Sequence, residues 1–257
     1  MRMADEKTWP KDVLDYLDRF GWVFKAWESR GRNRASVTGT QYDEVVIGFR
    51  AVLQRHTLHG YHCTRLTASE ISAIITGGMQ PLGGAKLRAR ISALHRSGLI
   101  TPEFAQLLSL KNYADDHNRQ GMIWFIFFPP HRVPERGVDH FFRYWGGESL
   151  YMPHQSDGVF DSKLGQIGTP CLVEADVPIT SLNEHSFLDT IIARRYLKRR
   201  GFRTRESVDG ENYAKHPIPA ASIRRIIRFP SRDFVRLTRC DRWQTPLHDQ
   251  LSFETPA

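Results

Sequence analysis

The residues best suited to chemistry cluster in one stretch of the chain, LHGYHCTRLTASEISAIITGGMQPL, which covers positions 58 to 82. His56 precedes this stretch, and His59, His62 and Cys63 lie within it. Imidazole and thiolate groups are common ligands of zinc, and a thiol beside an imidazole can act as a nucleophile with its base. The residue types therefore raise two kinds of site, a metal centre and a cysteine nucleophile.

Strand geometry argues against both kinds of site. GYHCTRL is typical of a short β-strand, in which successive side chains point to opposite faces. His62 and Cys63 then cannot share a hydrogen bond, and residues three positions apart do not converge on one ion. The sequence has no CxxC pair and no second cluster that would complete a tetrahedral zinc site. We expect no metal, and we expect Cys63 to be a small buried residue.

The segment after this strand predicts a helix. In TASEISAIITGGM, Thr67 is suited to cap the first turn, and Glu70 stands three residues later, which is the spacing of a capping box. Gly77 and Gly78 supply the stop signal. We assign Glu70 to helix capping alone.

An aromatic and glycine-rich stretch, HFFRYWGGESLY, offers a second group of candidates at positions 140 to 151. It places Arg143, Tyr144, Trp145 and Glu148 around two glycines. Glycines let a backbone approach a ligand closely, and aromatic faces stack on planar rings. The alternative is a glycine-bent strand that packs its aromatic residues into the core.

A basic run, RRYLKRRGFRTR, covers positions 194 to 205 and holds seven Lys or Arg residues and no acid. It ends an amphipathic helix, SLNEHSFLDTIIARRYLKRRG, for which Ser181 and Glu184 predict a capping box. We interpret the run as a phosphate-tracking surface, and the alternative is a solvated helix face. The residues assigned to nucleic-acid binding are Arg194, Arg195, Lys198, Arg199 and Arg200.

Composition limits the class of protein. The chain has 257 residues, 40% of them hydrophobic, and a net charge of +8, which suits a polyanionic partner such as nucleic acid. Its longest strongly apolar run, MIWFIFF, is far too short to cross a bilayer. The three cysteines are far apart and odd in number, which favours a reducing compartment. We therefore expect a cytoplasmic protein without a membrane partner.

The order of predicted elements indicates the fold class. Helical patterns dominate residues 1–55, while the strand patterns MIWFIFF, TPCLVEADVPI and ENYAKHPIPAASIRRIIRF come later. This order favours an α+β fold over a doubly wound sheet. Residues 1–55 are interpreted as a helical N-terminal appendage.

Both ends of the main region resemble one family. The opening stretch has an aromatic residue, His, a spacer and Thr-Arg, followed by a helix, a glycine and PL. This pattern resembles the first strand and helix of the ADP-ribosyltransferase fold, most closely those of the DarT-type DNA ADP-ribosyltransferase toxins. The closing segment is similar to theirs, in which a Glu opens a strand and Ile-Pro and further isoleucines follow. The resemblance implies a catalytic domain over 56–240, built from two small packed antiparallel or mixed sheets with flanking helices, and a tail over 241–257.

The resemblance also implies site residues. His62 and Thr64, with Arg65, would line an NAD pocket on the first strand, and Glu211 would be the catalytic carboxylate. The aromatic stretch would add Tyr144 and Trp145 beside the nicotinamide ring, and Arg143 at the diphosphate. The RYWGGE motif departs from the family's pattern and leaves Glu148 as a rival catalytic carboxylate.

The function implied is transfer of ADP-ribose from NAD to a macromolecule, with NAD as substrate and no metal. The basic surface favours nucleic acid as the acceptor, and a protein acceptor stays open. Such an enzyme would act as a bacterial toxin or anti-phage effector, with a cognate antitoxin or inhibitor as partner. The alternative of a different class is a non-catalytic nucleic-acid-binding or interaction module that uses the basic helix over 186–205.

Overall fold

The structure is a computed structural model that describes residues 1–29, 36–117, 120–154, 158–183, 187–204 and 210–247. Within these ranges the chain forms an α+β fold, as the order of sequence patterns predicts. The helices are α1 (Lys11–Glu28), α2 (Gly39–Leu53), α3 (Ala68–Gly77), α4 (Gly84–Arg96), α5 (Pro102–Leu110), α6 (Glu135–Arg143), α7 (Glu148–Tyr151), α8 (Gly158–Gln166), α9 (Leu188–Arg199) and α10 (Arg232–Thr238). The strands are β1 (Thr57–Leu66), β2 (Ile123–Ile126), β3 (Thr169–Pro178), β4 (Glu211–Ala214) and β5 (Ile223–Arg228).

The five strands form one sheet in the order β4-β2-β1-β3-β5. β3 and β5 pair antiparallel, with Cys171 opposite Arg228 and a register shift between Glu174 and Ala175. The expectation of two small packed sheets is therefore wrong for the described residues. The physical reason is strand length, because β1 and β3 each run for ten residues and each has a neighbour on both sides.

Local signals predicted the central helices correctly. Thr67 and Glu70 form the capping box of α3, and Gly78 ends that helix with a positive φ of 75°. Thr101 caps α5, and Pro102 occupies its first position.

Two predicted elements differ in the structure. α9 begins at Leu188 rather than near Ser181, which ends a short 3-10 turn, while Glu184 and Arg205 lie outside the described residues. The aromatic stretch forms the end of α6 and all of α7 instead of a bent strand. Between α6 and α7, Gly146 and Gly147 adopt φ angles of 86° and 59°, which residues other than glycine rarely adopt.

The chain divides into two compact units. The first contains Met1–Gly60, Phe125–Phe128 and Asp176–Tyr213, and the second contains Tyr61–Trp124, Pro129–Ala175 and the chain from Ala214. The predicted N-terminal segment thus belongs to a unit that also includes two later segments of the chain.

In the first unit, helices α1, α2 and α9 pack against one another. The rings of Tyr16 and Phe49 stack with centroids 5.4 Å apart. The carboxylate of Asp189, only 3% exposed, accepts hydrogen bonds of 2.9 Å from Nε and Nη2 of Arg50. A buried carboxylate requires such a partner, so this ion pair fixes α9 against α2.

In the second unit, a hydrophobic cluster joins α4 and α5 with the segment from Trp145 to Ile167. Its buried residues are Leu87, Ile91, Leu94, Ile100, Phe104, Leu108, Ala114, Trp145, Leu150, Phe160, Leu164 and Ile167. None of the helices in the described ranges is long and apolar enough to span a bilayer.

Candidate functional site

β1 presents two polar side chains on its more open face. His62 and Thr64 are half-buried, whereas Cys63 and Arg65, which alternate with them, are buried. The alternation is the ordinary consequence of strand geometry. His62 is held in place because its Nδ1 lies 2.9 Å from the carbonyl oxygen of Trp124 on the neighbouring strand. An imidazole whose Nδ1 donates to a backbone carbonyl keeps one tautomer and one ring orientation.

The environment of His62 favours its neutral form. The pKa of His62 is lowered from 6.5, first by burial and then by the positive charge of Arg90, while the hydrogen bond to Trp124 opposes this shift. His62 is therefore uncharged at neutral pH and can take part in hydrogen bonds as a donor and an acceptor.

Arg65 does not join His62 and Thr64. It is 5% exposed and donates from Nε to the carbonyl of Ile167 at 2.7 Å and from Nη1 to the carbonyl of Phe142 at 3.0 Å. Its position in β1 directs it to the face opposite His62. The expected role of Arg65 in an NAD pocket is therefore corrected to a structural one, which is to satisfy two buried carbonyls.

A network of charged and polar groups surrounds Glu70. Besides capping α3, its carboxylate accepts from Nε of Arg90 at 2.7 Å and from Nε1 of Trp145 at 3.0 Å. The guanidinium of Arg90 lies 4.6 Å from the centre of the Trp145 ring. Thr67 donates from its backbone N–H to the same carboxylate at 2.8 Å. Arg90 is thus held at one edge by a carboxylate and on one face by an indole.

The net effect on Glu70 is to keep it ionised. Burial raises its pKa, but Arg90, the Thr67 amide and the Trp145 indole outweigh burial, so the pKa lies below 4.5. Sequence reasoning gave Glu70 the capping role alone and missed Arg90. The available signal was the pair Lys86 and Arg90, which lie one turn apart on a predicted helix.

The two aromatic residues proposed to contact nicotinamide are otherwise engaged. Trp145 is 0% exposed within the hydrophobic cluster of α4 and α5, so no face of its ring is open to a ligand, and its expected role is corrected. Tyr144 is half-buried and stacks on Tyr151 with ring centroids 4.8 Å apart and planes 9° apart. Burial is also the main cause of its raised pKa.

Arg143 uses its guanidinium to hold residues near the C-terminus. It donates to Asp139 at 3.2 Å from Nε, to the carbonyl of Pro246 at 3.3 Å from Nη1, and to the carbonyl of Thr245 from Nη2. Three of the five N–H donors of Arg143 are thereby engaged in holding Asp139 and the chain at Thr245 and Pro246, and its contact with a diphosphate stays a prediction.

Glu148 opens α7 directly after the two glycines. Its Oε1 lies 3.4 Å from Nε2 of His140, and its side chain is 39% exposed. The structure thus gives this rival carboxylate a histidine partner within the second unit.

Glu211 is exposed at the first residue of β4, so the expectation that it opens a strand is confirmed. The next residue, Asn212, is buried and donates to the carbonyl of Asn183 at 3.0 Å, which anchors the start of the strand. Glu211 belongs to the first unit and His62 to the second, and each is therefore described in its own surroundings.

The basic residues of α9 are largely paired with acids that lie far away in sequence. Arg194 contacts Glu28 at 2.6 Å, and Arg200 contacts Glu6 at 3.1 Å and Asp18 at 3.6 Å. Arg199 lies 3.9 Å from Glu6. Acids from α1 and the N-terminal segment thus pair with three of the five residues assigned to a phosphate-tracking surface, and the interpretation is corrected for these three.

The two remaining basic residues of α9 differ from each other. Arg195 lies with its guanidinium 5.1 Å from the ring centre of Phe128. Lys198 is exposed.

The histidines in and just before the first candidate stretch, and its one cysteine, have separate partners or are buried. His56 contacts Asp12 at 3.0 Å, and His59 is buried with its Nδ1 3.7 Å from Asp176. Cys63 is buried, as expected. Among the residues that the structure describes, no three His, Cys, Asp or Glu side chains lie together where they could hold a metal ion.

No protein-family model matches this sequence, and searches of curated proteins and of solved structures gave no match.

Proposed function

We propose that the protein is an ADP-ribosyltransferase that uses NAD to modify a macromolecule, and the net charge of +8 favours nucleic acid as the acceptor. The observation that carries the proposal is the pair His62 and Thr64, side by side on the half-buried face of β1 and directly before the capped helix α3. This is the arrangement that the resemblance to DarT-type transferases assigns to the NAD-binding strand.

The residue types suit the chemistry. Cleavage of the nicotinamide–ribose bond sends the bonding electron pair out with nicotinamide and develops positive charge on the ribose, as in glycoside cleavage. A carboxylate stabilises that charge, hydrogen-bonds a ribose hydroxyl and takes the proton of the acceptor when its nitrogen or oxygen bonds to the ribose carbon. We assign this role to Glu211, which is exposed at the start of β4. Glu148 is the rival assignment.

Neutral His62 and the hydroxyl of Thr64 are assigned to the ribose and amide groups of NAD, as hydrogen-bond donors and acceptors. The role of toxin or anti-phage effector, with a cognate antitoxin or inhibitor, is part of the same proposal.

The test uses NAD labelled in the adenylate moiety, with the full chain and separate pools of single-stranded DNA, double-stranded DNA, RNA and lysate protein. We expect label in one nucleic-acid pool and release of nicotinamide, both lost in Glu211→Gln. Label in the protein pool alone would move the acceptor to protein. Loss of activity in Glu148→Gln but not in Glu211→Gln would move the carboxylate assignment. If wild type and both variants release nicotinamide at the same background rate, the enzyme proposal fails.

A further inference from the structure

We propose that Arg90 and Lys86 form a phosphate-binding site beside β1, which takes the phosphate oxygens of a nucleotide ligand. This inference rests on the proposed function, because it names residues that hold the substrate. It assigns to Arg90 the phosphate contact that the sequence assigned to Arg143, three of whose five N–H donors bind Asp139 and two backbone carbonyls.

The side chain of Arg90 is held rigidly by its neighbours. Its Nε donates to Glu70 at 2.7 Å, and its guanidinium lies 4.6 Å from the ring centre of Trp145. Trp145 is fully buried, and Glu70 is fixed in turn by the Thr67 amide and the Trp145 indole. A guanidinium fixed at one edge and one face loses little conformational entropy when it binds a ligand.

The edge of the Arg90 guanidinium that carries Nη1 and Nη2 is available for a ligand. Within the described part of the chain, Nη1 and Nη2 of Arg90 donate no hydrogen bond, and the side chain is 25% exposed. Two parallel N–H donors in one plane match two oxygens of a phosphate or carboxylate. The free edge of Arg90 therefore has the geometry of an oxyanion clamp.

A second positive charge, that of Lys86, lies close to Arg90. Lys86 lies one turn before Arg90 on α4, is exposed, and makes no ion pair with any residue that the structure describes. The pKa of Lys86 is lowered, first by partial desolvation and then by Arg90, and the pKa of His62 is lowered by burial and by the same charge. Lys86 and Arg90 therefore repel each other, and an anion that binds between them relieves this repulsion.

The ligand class follows from these groups. A clamp of two coplanar donors, a flexible ammonium and a neighbouring neutral imidazole suit a phosphate, and a nucleotide offers one in two ways. Either the diphosphate of NAD or a backbone phosphodiester of a nucleic-acid acceptor supplies the oxygens. The test separates these two sources.

The experiment measures equilibrium binding of NAD, ADP-ribose, nicotinamide riboside and a single-stranded oligonucleotide to the full chain. The variants are Arg90→Ala, Arg90→Lys and Lys86→Ala, and the matched control is Arg88→Ala. Arg88 lies on the same helix, carries the same charge, is 52% exposed and is 3.8 Å from Asp115. Lys86→Ala leaves the Glu70 network intact, so the test survives if Arg90→Ala does not fold.

If the diphosphate is the ligand, Arg90→Ala weakens NAD and ADP-ribose by about 10-fold or more and leaves nicotinamide riboside, which lacks phosphate, within about 2-fold. The NAD affinity of Arg90→Lys lies between those of the wild type and Arg90→Ala, and Lys86→Ala weakens NAD binding by about 2- to 5-fold. If a phosphodiester is the ligand, NAD affinity stays constant and the slope of log affinity against log salt for the oligonucleotide falls by about one per residue.

The inference is overturned if the Arg90 and Lys86 variants bind all four ligands like Arg88→Ala, or if the wild type binds none of them. Binding and transfer are read separately. Binding that depends on Arg90 without ADP-ribosyl transfer would retain the phosphate site and refute the enzyme. ADP-ribosyl transfer by the wild type, with unchanged ligand binding in the Arg90 and Lys86 variants, would support the enzyme and refute the phosphate site.

Discussion

Arg90 donates a 2.7 Å hydrogen bond from Nε to Glu70, twenty residues earlier in the chain, whose carboxylate also caps α3. One carboxylate thus joins the helix after β1 to α4, and it does so with its side chain only 18% exposed. Because α3 begins where β1 ends, this pair connects the local structure of the strand to the position of the guanidinium.

Glu70→Gln should lower the free energy of unfolding by about 2 kcal/mol at neutral pH, because hydrogen bonds to a charged group are lost. The folded-state pKa of Glu70 is lowered below its ordinary value of 4.5. Its stabilisation is therefore complete above the unfolded-state pKa and is lost as the pH falls through the folded-state pKa. Urea unfolding between pH 7 and pH 3 should show a constant difference down to about pH 4.5 and a shrinking one below it.

The control for this measurement is Glu44→Gln, which changes an exposed carboxylate on α2. It should leave stability unchanged at every pH. A difference between wild type and Glu70→Gln that stayed constant down to pH 3 would show that the ionised carboxylate is not the source of the stabilisation.

Gly78→Ala should destabilise the second unit by about 2 kcal/mol or more, because Gly78 has a φ of 75° and an added Cβ would lie 2.1 Å from the carbonyl oxygen of Ile218. Gly77→Ala is the matched control, since a Cβ there meets nothing within 4 Å. It should be neutral or stabilise by about 0.5–1 kcal/mol. Thermal and urea unfolding compare the two, and equal stabilities would contradict the close approach of residue 78 to Ile218.

The pKa of His62 should lie below 6.5 and rise when Arg90 is replaced by Ala, because the charge of Arg90 disfavours the imidazolium. The measurement is an NMR titration of the imidazole resonances, assigned with His62→Asn. Arg88→Ala should leave the titration unchanged. An identical pKa in wild type and Arg90→Ala would remove the electrostatic link between α4 and β1.

The basic residues of α9 should separate into structural and solvent-exposed sets. Arg194→Ala should lower stability by about 2 kcal/mol, because Glu28, 2.6 Å from Arg194, would lose its partner in a site where the two side chains are 15% and 9% exposed. Lys198→Ala should change stability by less than about 0.5 kcal/mol, since Lys198 is exposed. Unfolding curves decide this, and equal losses in both variants would refute the division.

Local signals predicted much of the fold. The capping box of Thr67 and Glu70, Pro102 at the start of α5, and the strands β2 and β3 all follow from residues adjacent in sequence. These signals act over a few residues, so they can be recognised without knowing the tertiary structure.

The errors are of two kinds. Strand alternation separates Arg65 from His62, yet the family pattern placed both in one pocket. The acids that neutralise α9 lie more than 160 residues before it, with Glu28 166 positions from Arg194. The burial of Trp145 likewise depends on α4 and α5, which the motif RYWGGE does not contain. The last two pairings are set by packing between distant segments, which periodicity and spacing do not encode, whereas the position of Arg65 follows from local strand periodicity.

The proposal that the protein is an ADP-ribosyltransferase with Glu211 as its catalytic carboxylate is tested most directly by nicotinamide release from NAD. Release is measured for the wild-type chain and for Glu211→Gln in the presence of pooled nucleic acid. Both proteins are first shown to have the same unfolding midpoint, since Glu211 is exposed at the start of β4. We expect release by the wild type and a fall of about 100-fold or more in the variant, because a general base and charge-stabilising carboxylate is removed. Equal release by the two proteins, or none by either, would contradict this proposal.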